Sequence, residues 1–303
     1  MSAKLLNGGP LAVTIKEGLK KEIEELKGKG ITPSLVAVQV GENPASRIYI
    51  RNQKKSCEEI GIDYQLHELS AETTEEELLQ FIGKLNGDAR VTGIILQMPL
   101  PSPINSRRIQ ATISPSKDVE GMNPANMGML LYGQAKVAPC TALGAMELLK
   151  SSGVDLKGQE VTVVGHSEIV GKPIILMLLQ SLDASPTPTV CHIATRDLAA
   201  HTRKADILIV AVGKAGLIKG EMIKEGAIVI DIGINRVPLL DDKGNPVLND
   251  KGKPKKKMVG DVVFEEAVEK ASYISPVPGG VGPLTTAMLL KNTVECAKTQ
   301  NQD

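Results

Sequence analysis

Tyr49, Gln53 and Cys57 recur at intervals of four in VGENPASRIYIRNQKKSCEEIGI, the run from Val40 to Ile62. If the segment from about Ser46 is helical, these three share one face at steps of roughly 40°. A tyrosine ring beside a primary amide suits a ligand with a flat ring. Lys54 stands one place later, which turns its side chain by roughly 100°. A second candidate is VGHSEIVGKP, Val164 to Pro173, which reads as a strand end, a glycine turn and a helix start. Gly165 lets backbone approach a ligand, Gly171 permits tight helix packing, and the helix N-terminus favours phosphate. Ser167 replaces the middle glycine of the G-x-G-x-x-G fingerprint, so the bare pattern is weaker than that fingerprint. Taken alone, the first pattern is more often an ordinary amphipathic helix, and the second is as often an ordinary strand, turn and helix.

The elements that must position these residues alternate regularly. A helical pattern covers Leu11 to Lys27, Pro33 to Val40 reads as a buried strand, and the Tyr49 helix follows. A strand at Tyr64 to Leu69, a helix at Thr74 to Leu85 and an apolar strand at Val91 to Gln97 continue the series. Such alternation predicts an α/β fold with a parallel sheet and helices on both faces. After a helix from Thr141 to Ser151, Gly158 marks a turn. Strands are expected at Val161 to Val164, Thr189 to Cys191, Ile207 to Val212, Ala227 to Asp231 and Ser272 to Ile274, a Rossmann-like series. Asp241 to Lys257, rich in Lys, Asp, Gly and Pro, reads as an exposed loop or hairpin rather than a nucleic-acid patch.

A chain of 303 residues is more readily two domains than one. The expected boundaries are 1–145, completed by a C-terminal helix in 283–303, and 146–282. Lys and Arg number 35 against 35 Asp and Glu, so no overall field draws the chain to nucleic acid or an anionic membrane. The 4 cysteines are widely spaced with no Cys-x-x-Cys pair, which suggests neither a metal site nor a disulfide framework. The N-terminus lacks the apolar core of a signal peptide, and no run reaches the roughly 18–20 apolar residues of a membrane span. The chain therefore reads as soluble and cytoplasmic.

Several ordered motifs together resemble the methylenetetrahydrofolate dehydrogenase/cyclohydrolase family. Ser46, Tyr49, Lys55 and Cys57 match its Ser-x-x-Tyr-x-x-x-Lys followed by Lys-x-Cys, but the family's catalytic lysine falls on Gln53. GIILQMPLP, Gly93 to Pro101, is similar to the strand and loop that carry a glutamine, here Gln97. PSKDVEG, Pro115 to Gly121, matches a Pro-x-Lys-Asp-Val-Asp-Gly box with Glu120 in place of the second Asp. Pro139, Cys140 and Thr141 match Pro-Cys-Thr, and PVPGGVGPLT, Pro276 to Thr285, is close to a further family string. The resemblance runs from about Leu6 to Ala297. It implies a folate-binding catalytic domain and a Rossmann-like NAD(P)-binding domain with a cleft between them, tetrahydrofolate substrates, a place in one-carbon metabolism and a homodimer.

By this resemblance Tyr49 stacks on the aminobenzoyl ring, Glu120 hydrogen-bonds the pterin, and Pro278, Gly279, Gly280 and Gly282 bring backbone to the folate, with Ser46 and Gln97 on the same side. Gly165, His166, Ser167, Gly171, Ile193, Arg196 and Ile234 fall at dinucleotide positions. NADP recognition needs cationic or hydrogen-bonding groups at the 2′-phosphate, and NAD usually needs an acid after the second strand; neither is clean here. Ile193 cannot meet a phosphate, while His166 and Arg196 offer compensation, so the expectation favours NAD with NADP open. Hydride transfer asks mainly for orientation. Hydrolysis of the methenyl product asks for a proton-exchanging side chain, which a glutamine is not. Three outcomes follow: the cyclohydrolase step is lost, Lys54 or Lys55 reaches the site through a distorted helix, or Gln53 with Glu120 supports slower hydrolysis. Dehydrogenase activity with a weak or absent cyclohydrolase is the favoured reading. A catalytically inactive folate-binding protein and an unrelated Rossmann dehydrogenase are the rivals.

Overall fold

The computed structural model describes residues 2–42, 44–241, 244–250 and 252–301, and the side chains of residues 44–46 lie outside the description. The strands are β1 (Lys4–Leu5), β2 (Ser34–Val40), β3 (Asp63–Leu69), β4 (Gly93–Leu96), β5 (Glu160–Val164), β6 (Thr187–Cys191), β7 (Ile207–Val210), β8 (Ile228–Asp231), β9 (Asn235–Pro238), β10 (Lys256–Val259) and β11 (Tyr273–Ile274). Two compact units result. Ala12–Leu143 with Thr285–Asp303 contains Tyr49, and Met1–Leu11 with Gly144–Leu284 contains Gly165.

In the Tyr49 unit a parallel sheet runs in the order β3-β2-β4. Its central strand, SLVAVQV, is buried along its whole length, which explains why Leu35 to Val38 are all apolar rather than alternating with polar residues. Val36, Val38, Ile94 and Leu96 pack with Leu78 and Ile82 of the helix Glu75–Gly87 and with Ile109. That helix starts at a capping box. Thr74 accepts from the Glu77 N–H, and the Glu77 carboxylate accepts from the Thr74 N–H at 2.8 Å, an arrangement worth about 1 kcal/mol. At the far end, Lys117 donates to the carbonyls of Leu85 and Asp88 at 3.1 and 2.7 Å. The lysine of the PSKDVEG box thus has a structural role, closing a helix and anchoring the segment that carries Glu120.

In the Gly165 unit the sheet order is β1-β11-β8-β7-β5-β6, with every pairing parallel. The order reverses at β5, whose neighbours are β6 and β7, and ligands of open α/β sheets bind beyond the strand ends at such a switch point. The first eleven residues belong to this unit, a correction to the expected domain spanning 1–145. Lys4 and Leu5 pair with Tyr273 and Ile274, and a two-residue strand is too short to show any periodicity. The charged stretch after residue 240 includes isolated bridges, Leu240 to Pro246 and Leu248 to Pro254, beyond the antiparallel pair β9 and β10.

Gly121, next to Glu120, has φ +67°, and a Cβ there would lie 2.4 Å from the Ala138 carbonyl carbon. Both the left-handed backbone and the clash oppose any side chain. Gly121→Ala is expected to lose at least about 2 kcal/mol of stability in denaturant unfolding.

Candidate active site

The helix Pro44–Ile60 follows β2 and presents Tyr49 and Gln53 at the sheet's C-terminal edge. Gln53 is 0% exposed. Its Oε1 accepts from Gln97 Nε2 at 2.9 Å, while its own Nε2 has no hydrogen-bond partner. An unpartnered buried amide N–H costs roughly 1–3 kcal/mol, so a bound ligand or water at this point would be held firmly. Gln97 stands one residue beyond β4, its backbone N–H on the Val38 carbonyl at 2.8 Å, so strand pairing sets the amide pair. Cys57, expected on the same face, is fully buried.

Tyr49 keeps 40% of its surface exposed, yet its hydroxyl end lies inward beside Thr286 and Gln53. Burial is the main reason its pKa is pushed up, with Cys140 and Glu120 adding to the effect and Thr286 and Gln53 opposing it. Glu120 retains some solvent contact, but its carboxyl group is sunk among these residues; burial first, and then the nearby Asp118, raise its pKa to about 8. Asp118 is buried and accepts from the Asn123 N–H at 2.7 Å and from Asn126 Nδ2 at 2.9 Å. Burial also raises its pKa, against those hydrogen bonds. Asn292 reaches the Val119 and Ala138 carbonyls at 2.8 and 2.9 Å and the Cys140 sulfur at 3.5 Å. The Cys140 thiol is pushed well up, chiefly by burial and then by Glu120. Phenol, carboxyl and thiol are thus all biased towards their neutral, protonated forms.

Lys54 and Lys55 do not join this group. The helix is continuous, and their side chains are exposed, 3.9 Å from Glu58 and Glu59 respectively. The distortion that would bring Lys54 inward is absent, because one residue's step on a regular helix points it away from Gln53. Thr286, Asp118 and Asn292 escaped the sequence reading. Asp118 had a signal, its place in the PSKDVEG box, whereas Asn292 and Thr286 carry none in a helix of mixed polarity. Ser46 falls among the side chains outside the description.

In the Gly165 unit the turn after β5 has the shape of a nucleotide cradle. Gly165 has φ +107°, and a Cβ there would lie 2.2 Å from the Ala211 carbonyl oxygen; one on Gly171 would lie 2.0 Å from the Gly165 carbonyl oxygen. Ser167 Oγ accepts from the Val170 N–H at 3.2 Å, so the residue in the middle-glycine position closes the turn itself. The helix Gly171–Leu178 begins without a side-chain cap; the Lys172 N–H is taken by the Ser167 carbonyl at 3.0 Å and Pro173 has no N–H, so the close approach of backbone at Gly165 and Gly171 is what the turn offers. These features fit a dinucleotide pyrophosphate. At the end of β6, His192 and His166 meet edge to face with ring centroids 4.9 Å apart, and Ile193 and Arg196 are exposed. No acid occupies Cys191 to Arg196. Ile234, beyond β8, is 62% exposed, an aliphatic surface open to a flat partner. The Gly279 turn brings Gly280 N–H to the Pro276 carbonyl at 2.8 Å, so the PVPGG segment presents backbone rather than side chains. Among the described residues no group of three or more His, Cys, Asp or Glu could hold a metal ion, and no helix is long and apolar enough to cross a membrane.

Fold and sites together define a two-domain α/β protein with a dinucleotide cradle in one unit and a pocket of neutral hydrogen-bonding groups in the other. Residues 6–120 match the catalytic domain of tetrahydrofolate dehydrogenase/cyclohydrolase, and residues 139–301 match its NAD(P)-binding domain. The chain is 50% identical over 298 residues to the bifunctional protein FolD of Moorella thermoacetica, covering 98% of this chain and 100% of the other. The crystal structure of the bifunctional enzyme FolD from Campylobacter jejuni superposes with a TM-score of 0.89 at 46% identity, covering 98% of this chain and 99% of that one. The Trypanosoma brucei FolD structure, complexed with NADP cofactor and inhibitor, gives 0.89 at 36% identity with 100% of both chains covered. The protein belongs to the tetrahydrofolate dehydrogenase/cyclohydrolase family.

The Glu120 carboxyl has an ordinary pKa of 4.5 and one of about 8 in the folded protein. The unfolded chain therefore releases this proton first, and the contribution to stability falls as pH rises from about 4.5 to about 8. Glu120→Gln removes that contribution. Its Tm is expected to decline less between these pH values than that of the wild type, and parallel Tm–pH curves would show that Glu120 ionises normally.

Proposed function

We propose that the protein oxidises 5,10-methylenetetrahydrofolate to 5,10-methenyltetrahydrofolate by hydride transfer to a nicotinamide dinucleotide, with hydrolysis to 10-formyltetrahydrofolate weak or absent. Tyr49 lies under the aminobenzoyl ring and Glu120 meets the pterin. Gln97 adds a further folate contact in the same unit. The dinucleotide rests on Gly165, Ser167 and Gly171, with His166, Ile193 and Arg196 at the adenosine ribose and Ile234 at the nicotinamide. The nicotinamide supplies the hydride acceptor, and the protein supplies alignment and exclusion of water. NAD is the preferred cofactor in this reading, since an exposed isoleucine stands where a 2′-phosphate would need a donor.

The observation that carries the reading is the buried Gln53–Gln97 amide pair. A carboxamide can orient water through Nε2, but near neutral pH it neither gives up nor takes on a proton, and general acid–base assistance contributes typically 10²–10⁴-fold. Glu120 in its neutral form can donate one hydrogen bond but is a poor base below about pH 8. A slow residual hydrolysis assisted by Glu120 is the second reading, favoured by its position beside Tyr49.

Formation and decay of the methenyl chromophore with NAD and with NADP test both points. The expected result is faster formation with NAD and decay at the uncatalysed rate. Rapid methenyl hydrolysis would overturn the loss, and faster turnover with NADP would overturn the cofactor preference. Gln53→Lys is expected to raise hydrolysis at least about tenfold while methenyl formation persists.

A further inference from the structure

Beyond β7 and β8 a buried carboxyl group ties together two turns that no sequence motif connects. Asp261 is 0% exposed. Its Oδ2 accepts from the backbone N–H groups of Val212 and Gly213 at 2.7 and 2.9 Å; its Oδ1 accepts from the Lys214 N–H and from Asn235 Nδ2, each at 2.8 Å. Three consecutive backbone donors thus converge on one side chain, which pins the turn leaving β7. Asn235 fixes the segment leaving β8, the one that exposes Ile234. A Cβ on Gly233 would lie 2.2 Å from Asp261 Cγ, so the chain passes directly over the carboxyl group.

Asp261 is itself held in place. Asp231, the last residue of β8, accepts from the Asp261 and Val262 N–H groups at 3.1 and 2.9 Å and from the Gly233 N–H at 2.9 Å. Ser275 donates to the Asp231 carbonyl at 3.2 Å and accepts from the Asp231 N–H at 2.7 Å. Burial raises the Asp231 pKa to about 6, against the three N–H bonds it accepts. Two buried acids side by side are costly to desolvate. Their persistence is explained by the number of backbone donors that would otherwise go unpaired at the strand ends.

These turns lie on one side of the switch point at β5. In a doubly wound sheet the adenosine half of a dinucleotide occupies the side of the second strand, here β6, and the remainder extends over the strands on the other side, here β7 and β8. We propose that Asp261 is a positioning residue for the nicotinamide half of the cofactor: it locks the Val212–Lys214 turn and the Ile234–Asn235 segment into one surface, while the Gly165 turn holds the pyrophosphate independently. This rests on the dinucleotide reading of the Gly165 unit.

The test compares two ligands, NADH and ADP-ribose, which share the adenosine and pyrophosphate but differ in the nicotinamide. In Asp261→Asn the amide NH₂ faces an N–H donor whichever way it is turned. The dissociation constant for NADH is expected to rise at least about tenfold, the effect of one lost charged hydrogen bond, while that for ADP-ribose stays within about twofold. Asn235→Ala keeps the three backbone bonds, so it remains folded if Asp261→Asn does not, and it is expected to weaken NADH about threefold with the same selectivity. Equal losses for both ligands, or unchanged NADH binding in both variants, would overturn the proposal. Wild-type protein that binds neither ligand, nor NADPH, would instead overturn the dinucleotide reading itself.

Discussion

Buried aspartates that accept backbone N–H groups at the ends of parallel strands are the constraint on which both sites depend. Where a parallel ladder stops, its last amides lose their partners, and water cannot replace them in a dry interior. Asp261 meets this need beyond β7 with three successive N–H groups. Asp118, bridged to Ile94 of β4, does the like for the next turn, gathering the N–H of Asn123, the N-cap of the helix Pro124–Leu131, and the Asn126 side chain. Each acid accepts several hydrogen bonds, and each lies beside a candidate site: near Glu120 and Gly121 in one unit, near Gly233 and Ile234 in the other. A functional loop is mobile by default, and here its geometry is borrowed from a buried carboxyl group.

The same dryness sets the character of the folate-side pocket. Burial raises the pKa values of Tyr49, Glu120 and Cys140 together and so suppresses their ionisation, and the charges that would reverse this are elsewhere. An amine at position 53 would have sat beside the Tyr49 phenol and the Gln97 amide as a cation or as a base. The amide that occupies the position is neutral in every state and leaves one N–H unpartnered. An amide can orient water but exchanges no proton near neutral pH, and on that difference the proposed function separates hydride transfer from hydrolysis.

Much of this was legible from residue types. The apolar run Leu35 to Val38 in β2, the alternation of strands with helices and the glycine spacing of the β5 turn are local patterns, and they correspond to observed elements within a few residues. Gln53 was visible as an anomaly because one position in an ordered motif departed from its pattern. The short strand β1 was not legible, since two residues carry no period. Lys54 entered as an alternative that required a distorted helix; the helix is continuous, and one step separates the buried amide from an exposed ammonium beside Glu58.

By itself, then, the sequence determined the α/β class, the family and the chemical identity of the groups available, because these follow from periodicity, glycine placement and motif order. Only the tertiary structure decided which groups are charged, which are paired and which hold others in place. Protonation of Glu120, the orphaned N–H of Gln53, the linkage of Asn292 to Val119 and Ala138 and the convergence of Val212, Gly213, Lys214 and Asn235 on Asp261 all join residues distant in the chain. The physical reason is that desolvation and hydrogen-bond satisfaction depend on what surrounds an atom in three dimensions, which no local pattern encodes.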